Sequence, residues 1–468
     1  MEVTVPNRSI KTLTSDYFSD IRENFSNIDS VRKAKSMGGG VDYSMESINE
    51  SDRYRMERVI AAESFKKMTA PNEYVYQRAL RPYFNKQGVN TSKVGPHPDF
   101  AALKDSGDIE HHGIVTMFVD IKRSSRLSLL MSLEQAYLVK NRILQACIDV
   151  VRALDGYPHR LMGDAIMAFF GDKRTSSEDA IANAVNAASS LKLILTEAVF
   201  PELNNILGKD VNLGVRIGLD YGNDEEVIWA NYGYGDASEV TALGLPVDLA
   251  SKAQSQAKTN TAMLGQGILD HIDFPDFYSV IKTVDRAGEV VEEKFILPNM
   301  NDGHDKPVNR RCKLLKMECY QSLLPIPESW KSEKTNVKEN DNVTYQCFYR
   351  KSENEKWQEY KSASLFLEKK MSLKFVVTIS NPDLFVSKFP LVAKFVKVNH
   401  GLEARNKNNE GKEVKDDIVF NYRNSGTIEH ILEEGTSYRG LHTMELTIVP
   451  KGNPYDVIYR NIIGVYIK

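Results

Sequence analysis

The segment HRLMGDAIMAFFG (159–171) carries a single carboxylate, Asp164, directly after a glycine and between two apolar runs. Arg160 stands three residues before that glycine. Gly-Asp between strand-like runs reads as a hairpin turn, which puts Asp164 at the tip. A second carboxylate, Asp120, comes at the end of the continuous apolar run GIVTMFVDI (113–121), the pattern of a strand buried on both faces. A lone Gly-Asp is the composition of an ordinary turn. Two carboxylates converging at strand ends are what a pair of Mg2+ or Mn2+ ions needs beside a triphosphate, because hard cations take oxygen ligands. The segment after Asp120, IKRSSRLS (121–128), opens a helix. There the backbone N–H groups and the hydroxyls of Ser124 and Ser125 make either an anion site or a plain N-cap.

These residues need a scaffold, and the patterning supplies one. Residues 106–300 alternate strand and helix. A buried strand (113–121) leads into a long helical stretch from about Ser125 to Leu154, then the hairpin, then a helix over 176–195 with Ser176 and Asp179 as a capping pair. VNLGVRIGLDYG (211–222) alternates cleanly, Gly222-Asn223-Asp224 reads as a turn, and EEVIWA (225–230) reads as the returning strand. The sum is an α+β domain of βαββαβ, ferredoxin-like kind. Residues 1–105 read as a polar helical region, with Phe18, Ile21, Phe25 and Ile28 on one helix face, a break at MGGG (37–40) and a second helical run over 52–68. That stripe serves either a dimer or its own domain. Residues 301–340, rich in Pro, Lys and Glu, read as a linker, and 341–468 as an all-β, sandwich-like module. The module carries none of the motifs of 106–300, so removing it is expected to spare the chemistry and abolish its control.

Composition narrows the class. The 468 residues carry a net charge of -3, which gives no general attraction to nucleic acid or to an anionic membrane. No apolar run reaches the ~18 residues of a membrane span, and MEVTVPNRSIKT lacks the apolar stretch of a secretion signal. The four cysteines form no CxxC pair, which fits reduced thiols in a cytoplasm.

The motifs FVDIKRSSRLS, GDAIMAFFG, VRIGLDYG and ALGLPVDLASKAQ, in this order over about residues 110–300, resemble those of the class III nucleotidyl cyclases. The resemblance implies two Mn2+ or Mg2+ ions per site, held by Asp120, Asp164 and the backbone carbonyl of Ile121. It also implies Arg216 on the triphosphate and attack of the ribose 3′-OH on the α-phosphorus with loss of pyrophosphate. Two positions depart from the family pattern. Asp248 stands where an asparagine positions the ribose, and Lys252 where an arginine stabilises the transferring phosphoryl group. Lysine supplies a cation without arginine's bidentate fork; alternatively, the two residues form an i,i+4 ion pair. The usual Gly-Phe-Thr after the first aspartate is replaced by Arg123-Ser124-Ser125.

By the same resemblance, Arg160 and Thr241 occupy the base-reading positions. Arginine offers donors only. Cytosine presents O2 and N3 side by side as acceptors, whereas uracil has a donor at N3. The alternative for Arg160 is a pair with a nearby carboxylate. With arginine here and a C-terminal β module that looks like the AGS-C sensor domain, the chain resembles the pyrimidine cyclases of bacterial Pycsar anti-phage systems, on the cytidylate cyclase branch. That implies CTP as substrate and cyclic CMP as a messenger for a separate effector. It also implies a head-to-tail homodimer with composite sites. The competing readings are a uridylate cyclase, a purine cyclase and a degenerate cyclase fold that only binds nucleotide.

Overall fold

The computed structural model describes residues 9–25, 73–297, 301–306, 308–423 and 426–468. The expected break at 37–40, the helical run over 52–68 and Ile28 lie outside these residues.

The first of the two halves is built on β1 (Ile114–Lys122), whose apolar run is buried on both faces as its composition demands. The chain continues through α2 (Ser125–Leu130) and α3 (Leu133–Ala153), following the N-terminal helix α1 (Ile10–Tyr17). The stretch expected as one long helix is two. Ser132 breaks it with a capping box, its hydroxyl accepting from Gln135 N–H while the Gln135 side chain accepts from Ser132 N–H. Strands β2 (Gly156–Met162) and β3 (Ala165–Phe170) form the expected hairpin. Next comes α4 (Ser177–Ile194), capped by Ser176 as expected. Then follow β4 (Gly214–Gly222), β5 (Ile228–Tyr234), β6 (Ala237–Leu243), α5 (Leu245–Gln256), β7 (Thr261–Gly265) and β8 (Arg310–Leu315).

In the main sheet the order is Phe295–Leu297, β8, β7, β4, β1, β3, β2, with β1 antiparallel to both β3 and β4. The four strands β4-β1-β3-β2 give the βαββαβ arrangement read from the sequence. The second expected hairpin does not form. After the turn, β5 leaves the main sheet and pairs with β6 and with Ile109–His111 in a separate three-stranded sheet. Both β4 and β5 are strands, but β4 is buried almost throughout between β1 and β7, so no edge is left for β5.

The N-terminal stripe packs on its own domain. Tyr17, Phe18 and Ile21 are buried in the same core as β1 and α3. The nearly buried Arg142 of α3 donates to the Tyr17 carbonyl and pairs with Asp20.

The stretch 301–340 is not a free linker. It supplies β8, which pairs with β7, then α6 (Met317–Gln321) and the buried Trp330. Its Pro, Lys and Glu content hides the apolar residues Leu314, Leu315, Met317, Tyr320, Leu323 and Leu324 that anchor it. Beyond it, β9 (Val343–Arg350), β10 (Ser372–Ile379) and β12 (Ile428–Gly435) form one antiparallel sheet. Strands β11 (Leu391–Asn399), β13 (Gly440–Pro450) and β14 (Tyr459–Ile467) form another. Phe375, Val377, Phe395, Leu446 and Val465 belong to the core these sheets share. This module also packs on the first half. Ala363, Phe366, Leu441 and Tyr466 belong to the core of β1 and α3, and the buried Asn186 of α4 bonds the Ala363 carbonyl and the Tyr320 hydroxyl, which in turn meets Tyr466.

Candidate active site

Register brings the charged residues together. Asp120 faces Ala165 on β3 on one side and Arg216 on β4 on the other. Adjacent strands lie about 4.8 Å apart, and Asp164 directly precedes Ala165, so two carboxylates and a guanidinium meet at one end of three neighbouring strands. The β2–β3 loop is only Gly163-Asp164, with Gly163 at φ +66°, a conformation a side chain would resist. The loop therefore holds Asp164 at the tip.

Each carboxylate has partners within the chain. Asp120 Oδ2 accepts from Arg216 Nε at 3.1 Å and from its Nη2, and from Gln254 Nε2 at 3.2 Å. Asp164 Oδ2 accepts from the buried Ser124 hydroxyl. That hydroxyl makes no cap bond to α2, a helix of six residues, and Ser125 points into solvent. The N-cap reading of Ser124 therefore does not hold; its hydroxyl is turned to the carboxylate instead. The Ile121 carbonyl accepts a long bond, 3.4 Å, from Ser124 N–H.

Helix α5 reaches this cluster through Gly218. A Cβ there would lie 2.1 Å from Gln254 N and 2.3 Å from the Ala250 carbonyl, so only glycine lets the helix settle on β4. That contact delivers Gln254 to Asp120. Asp248 and Lys252, on the same helix, are exposed, and the i,i+4 ion pair does not form among the described residues. Both are open to solvent at the surface of the helix that touches Asp120.

Arg160 is displaced from simple alternation by a bulge between Pro158 and Arg160. His159, at the bulge, turns inward to the Gly95 carbonyl, and burial lowers its pKa, which keeps it neutral at pH 7. Arg160, 41% exposed, pairs with Glu239 on β6: Nε donates to Oε2 at 3.3 Å and Nη2 contacts Oε1. The carboxylate partner weighed from the sequence is thus present. Thr241 is buried two residues along the same strand, so it shares a face with Glu239. Among the described residues no hydrogen bond joins the Arg160–Glu239 pair to Asp120 or Asp164, so the two groups form separate clusters.

The donors at Asp120, Asp164 and Ile121 are all oxygen. No group of three or more His, Cys, Asp or Glu side chains able to hold a metal occurs among the described residues. Two carboxylates and a carbonyl suit a cation that takes its remaining ligands from phosphate and water, the habit of Mg2+ and Mn2+. The four cysteines are free thiols, three of them buried, and no helix among the described residues is long and apolar enough to cross a membrane. Sequence reasoning missed Gln254 and Glu239. For Gln254 a signal existed in Gly218, which marks where a helix must approach; for Glu239 there was none.

A family model described as "Adenylyl/Guanylyl and SMODS C-terminal sensor domain" matches residues 325–468, starting inside the stretch read as a linker. A curated cytidylate cyclase from Escherichia coli is 48% identical over 85% of this chain and 88% of its own length. One from Staphylococcus aureus is 32% identical over 83% and 86%. Among solved structures, the adenylyl cyclase CyaB from P. aeruginosa aligns with 44% of this chain and 95% of its own, at 17% identity and a TM-score of 0.35. At 48% identity over 85% of its length to one such relative and 32% over 83% to another, this chain belongs to the cytidylate cyclase family, with a C-terminal part that matches a sensor-domain family.

Proposed function

We propose that the chain converts CTP to 3′,5′-cyclic CMP and pyrophosphate, in sites shared between two copies. The observation that carries this reading is the meeting of Asp120, Asp164 and Arg216 at one end of β1, β3 and β4. Divalent cations bound to the two carboxylates would lower the pKa of the ribose 3′-OH and offset the charge of the triphosphate. Ser124 fixes the rotamer of Asp164. Arg216, already turned to this end of the sheet, is placed to take a phosphate oxygen. Lys252 supplies positive charge to the transferring phosphoryl group and Asp248 accepts from the ribose. Arg160 and Thr241 read the base.

The two half-sites support a head-to-tail homodimer. Leu161 and Met162 on β2, Tyr232 and Tyr234 on β5, and Leu129, Leu133 and Tyr137 on the α2–α3 segment are large exposed apolar side chains, the kind a partner covers. The product is read as a messenger for a separate effector in anti-phage defence, with the β module as sensor and the cytoplasm as location.

Incubating the purified protein with each of the four NTPs and Mn2+, then identifying the product, tests the reading. Cyclic CMP from CTP is expected. Asp164→Asn is expected to remove turnover of every NTP, because it weakens a metal ligand and not a base contact. A wild-type preference for a purine or for UTP overturns the assignment.

A further inference from the structure

We propose that Glu239 is the residue that lets Arg160 tell cytosine from uracil. The inference rests on the reading of Arg160 as the base-recognising group. A guanidinium has two edges with paired parallel donors: the side edge, Nε–H with one Nη2–H, and the end, Nη1–H with the other Nη2–H. Glu239 occupies the side edge, with Oε2 on Nε and Oε1 on Nη2. The end is the edge left for a base. The pair also fixes the orientation of an otherwise flexible, 41% exposed side chain before any ligand arrives.

This placement has a consequence for position 4 of the pyrimidine ring. When O2 and N3 of cytosine accept from Nη1 and Nη2, the exocyclic group at position 4 falls on the Nη2 side, next to Glu239 Oε1. Cytosine presents an amino donor there and a carboxylate is its acceptor. Uracil presents a carbonyl oxygen, which would face the carboxylate oxygen, and its N3–H would face the guanidinium. Arginine alone selects against a donor at N3; Glu239 adds a second, repulsive element at position 4. Strand β6 brings the buried Thr241 to the same face two residues away, so the three side chains line one half-site within a single chain. Glu239 and Arg160 are 79 residues apart in sequence and meet only through the fold.

The test is competition between CTP and UTP in one reaction, where the ratio of cyclic CMP to cyclic UMP does not depend on how much protein is folded. Glu239→Ala is expected to lower that ratio by roughly ten- to a hundredfold, the size of a lost charge-assisted base contact. Glu239→Gln keeps the size, loses the charge and can offer uracil an amide donor; it is expected to lower the ratio too, with the larger gain in kcat/KM on UTP. Glu239→Asp is expected to restore part of the preference. Arg160→Ala is measured alongside. If Arg160→Ala shifts the ratio and Glu239→Ala and Glu239→Gln do not, the role of Glu239 is overturned while Arg160 keeps its own. If Arg160→Ala leaves the ratio unchanged, the base-reading assignment itself falls. A rise in kcat/KM for CTP in Glu239→Ala would make Glu239 a competitor of the base and overturn the proposal.

Discussion

Two aspartates of one sheet have opposite fates. Asp120 sits half-open at the end of β1 among cationic and amide donors. Asp220, on β4 opposite Thr116, is only 2% exposed and takes backbone N–H bonds from Tyr221 and Gly267. Burial raises its pKa to about 7, against the lowering effect of those bonds. A raised carboxyl pKa means the folded protein favours the protonated form. The stability Asp220 contributes is therefore complete below its ordinary pKa of 3.8 and is lost as pH rises toward 7, at up to ~1.4 kcal/mol per pH unit. Asp220→Asn keeps an acceptor for the two N–H bonds and cannot ionise. Its thermal midpoint should fall less between pH 4 and pH 7 than that of the wild type; parallel curves would contradict this. Asp120 and Asp164 were legible because strand-end and turn positions show in the local pattern. Gln254 and Glu239 were not read, since their partners lie 134 and 79 residues away; the one signal, Gly218 for Gln254, sits on another strand and marks a helix approach, not a residue.

At the scale of elements, local signals worked where a turn and its strands close on each other, and failed where the wider sheet decides. The 156–170 hairpin announces itself through Gly163-Asp164 between two apolar runs. The run 211–222 followed by 225–230 looks the same, yet β4 is already flanked by β1 and β7, and β5 must go elsewhere. Charge-rich composition likewise concealed β8, because strand pairing to β7 needs only a few buried side chains such as Cys312 and Leu314. The contact between β4 and α5 carries the sharpest prediction. Gly218→Ala puts a methyl carbon into the α5 backbone and must lift the helix that carries Asp248, Lys252 and Gln254. A cost of about 1–3 kcal/mol is expected from overpacking, together with a fall in kcat beyond what the lost folded fraction explains. Calorimetry and active-site titration measure the two effects separately. Full activity with an unchanged melting temperature would show that the helix can shift without harm to the site.

The whole molecule joins the cyclase half to the C-terminal β module through a shared core. From sequence, removing everything beyond about residue 335 should spare cyclisation. The structure points the other way, because truncation uncovers the α4 and α6 surfaces that pack on Ala363, Phe366, Leu441 and Tyr466 and takes the Ala363 carbonyl from Asn186 and the Tyr466 hydroxyl from Tyr320. Returning that apolar surface to water costs stability and leaves an exposed apolar patch, so the truncated chain is expected to melt earlier and to aggregate; a soluble fragment with full turnover would contradict this. The same connection gives α4 direct contact with the β module, since Asp179 also accepts from Phe366 N–H. Assembly gives the last prediction. On the proposed reading Asp120 and Asp164 form one half-site and Arg160, Glu239 and Thr241 the other, with Lys252 placed in the second by family resemblance. In a head-to-tail dimer, inactive Asp120→Ala and inactive Lys252→Ala chains mixed in equal amounts form heterodimers in which one site has both halves intact. About a quarter of wild-type activity per site should return, from random pairing in a two-fold dimer. A mixture of Asp120→Ala with Asp164→Ala should return nothing, because every site then lacks a metal carboxylate. Recovery in both mixtures, or in neither despite measured heterodimer formation, would rule out this division of the site.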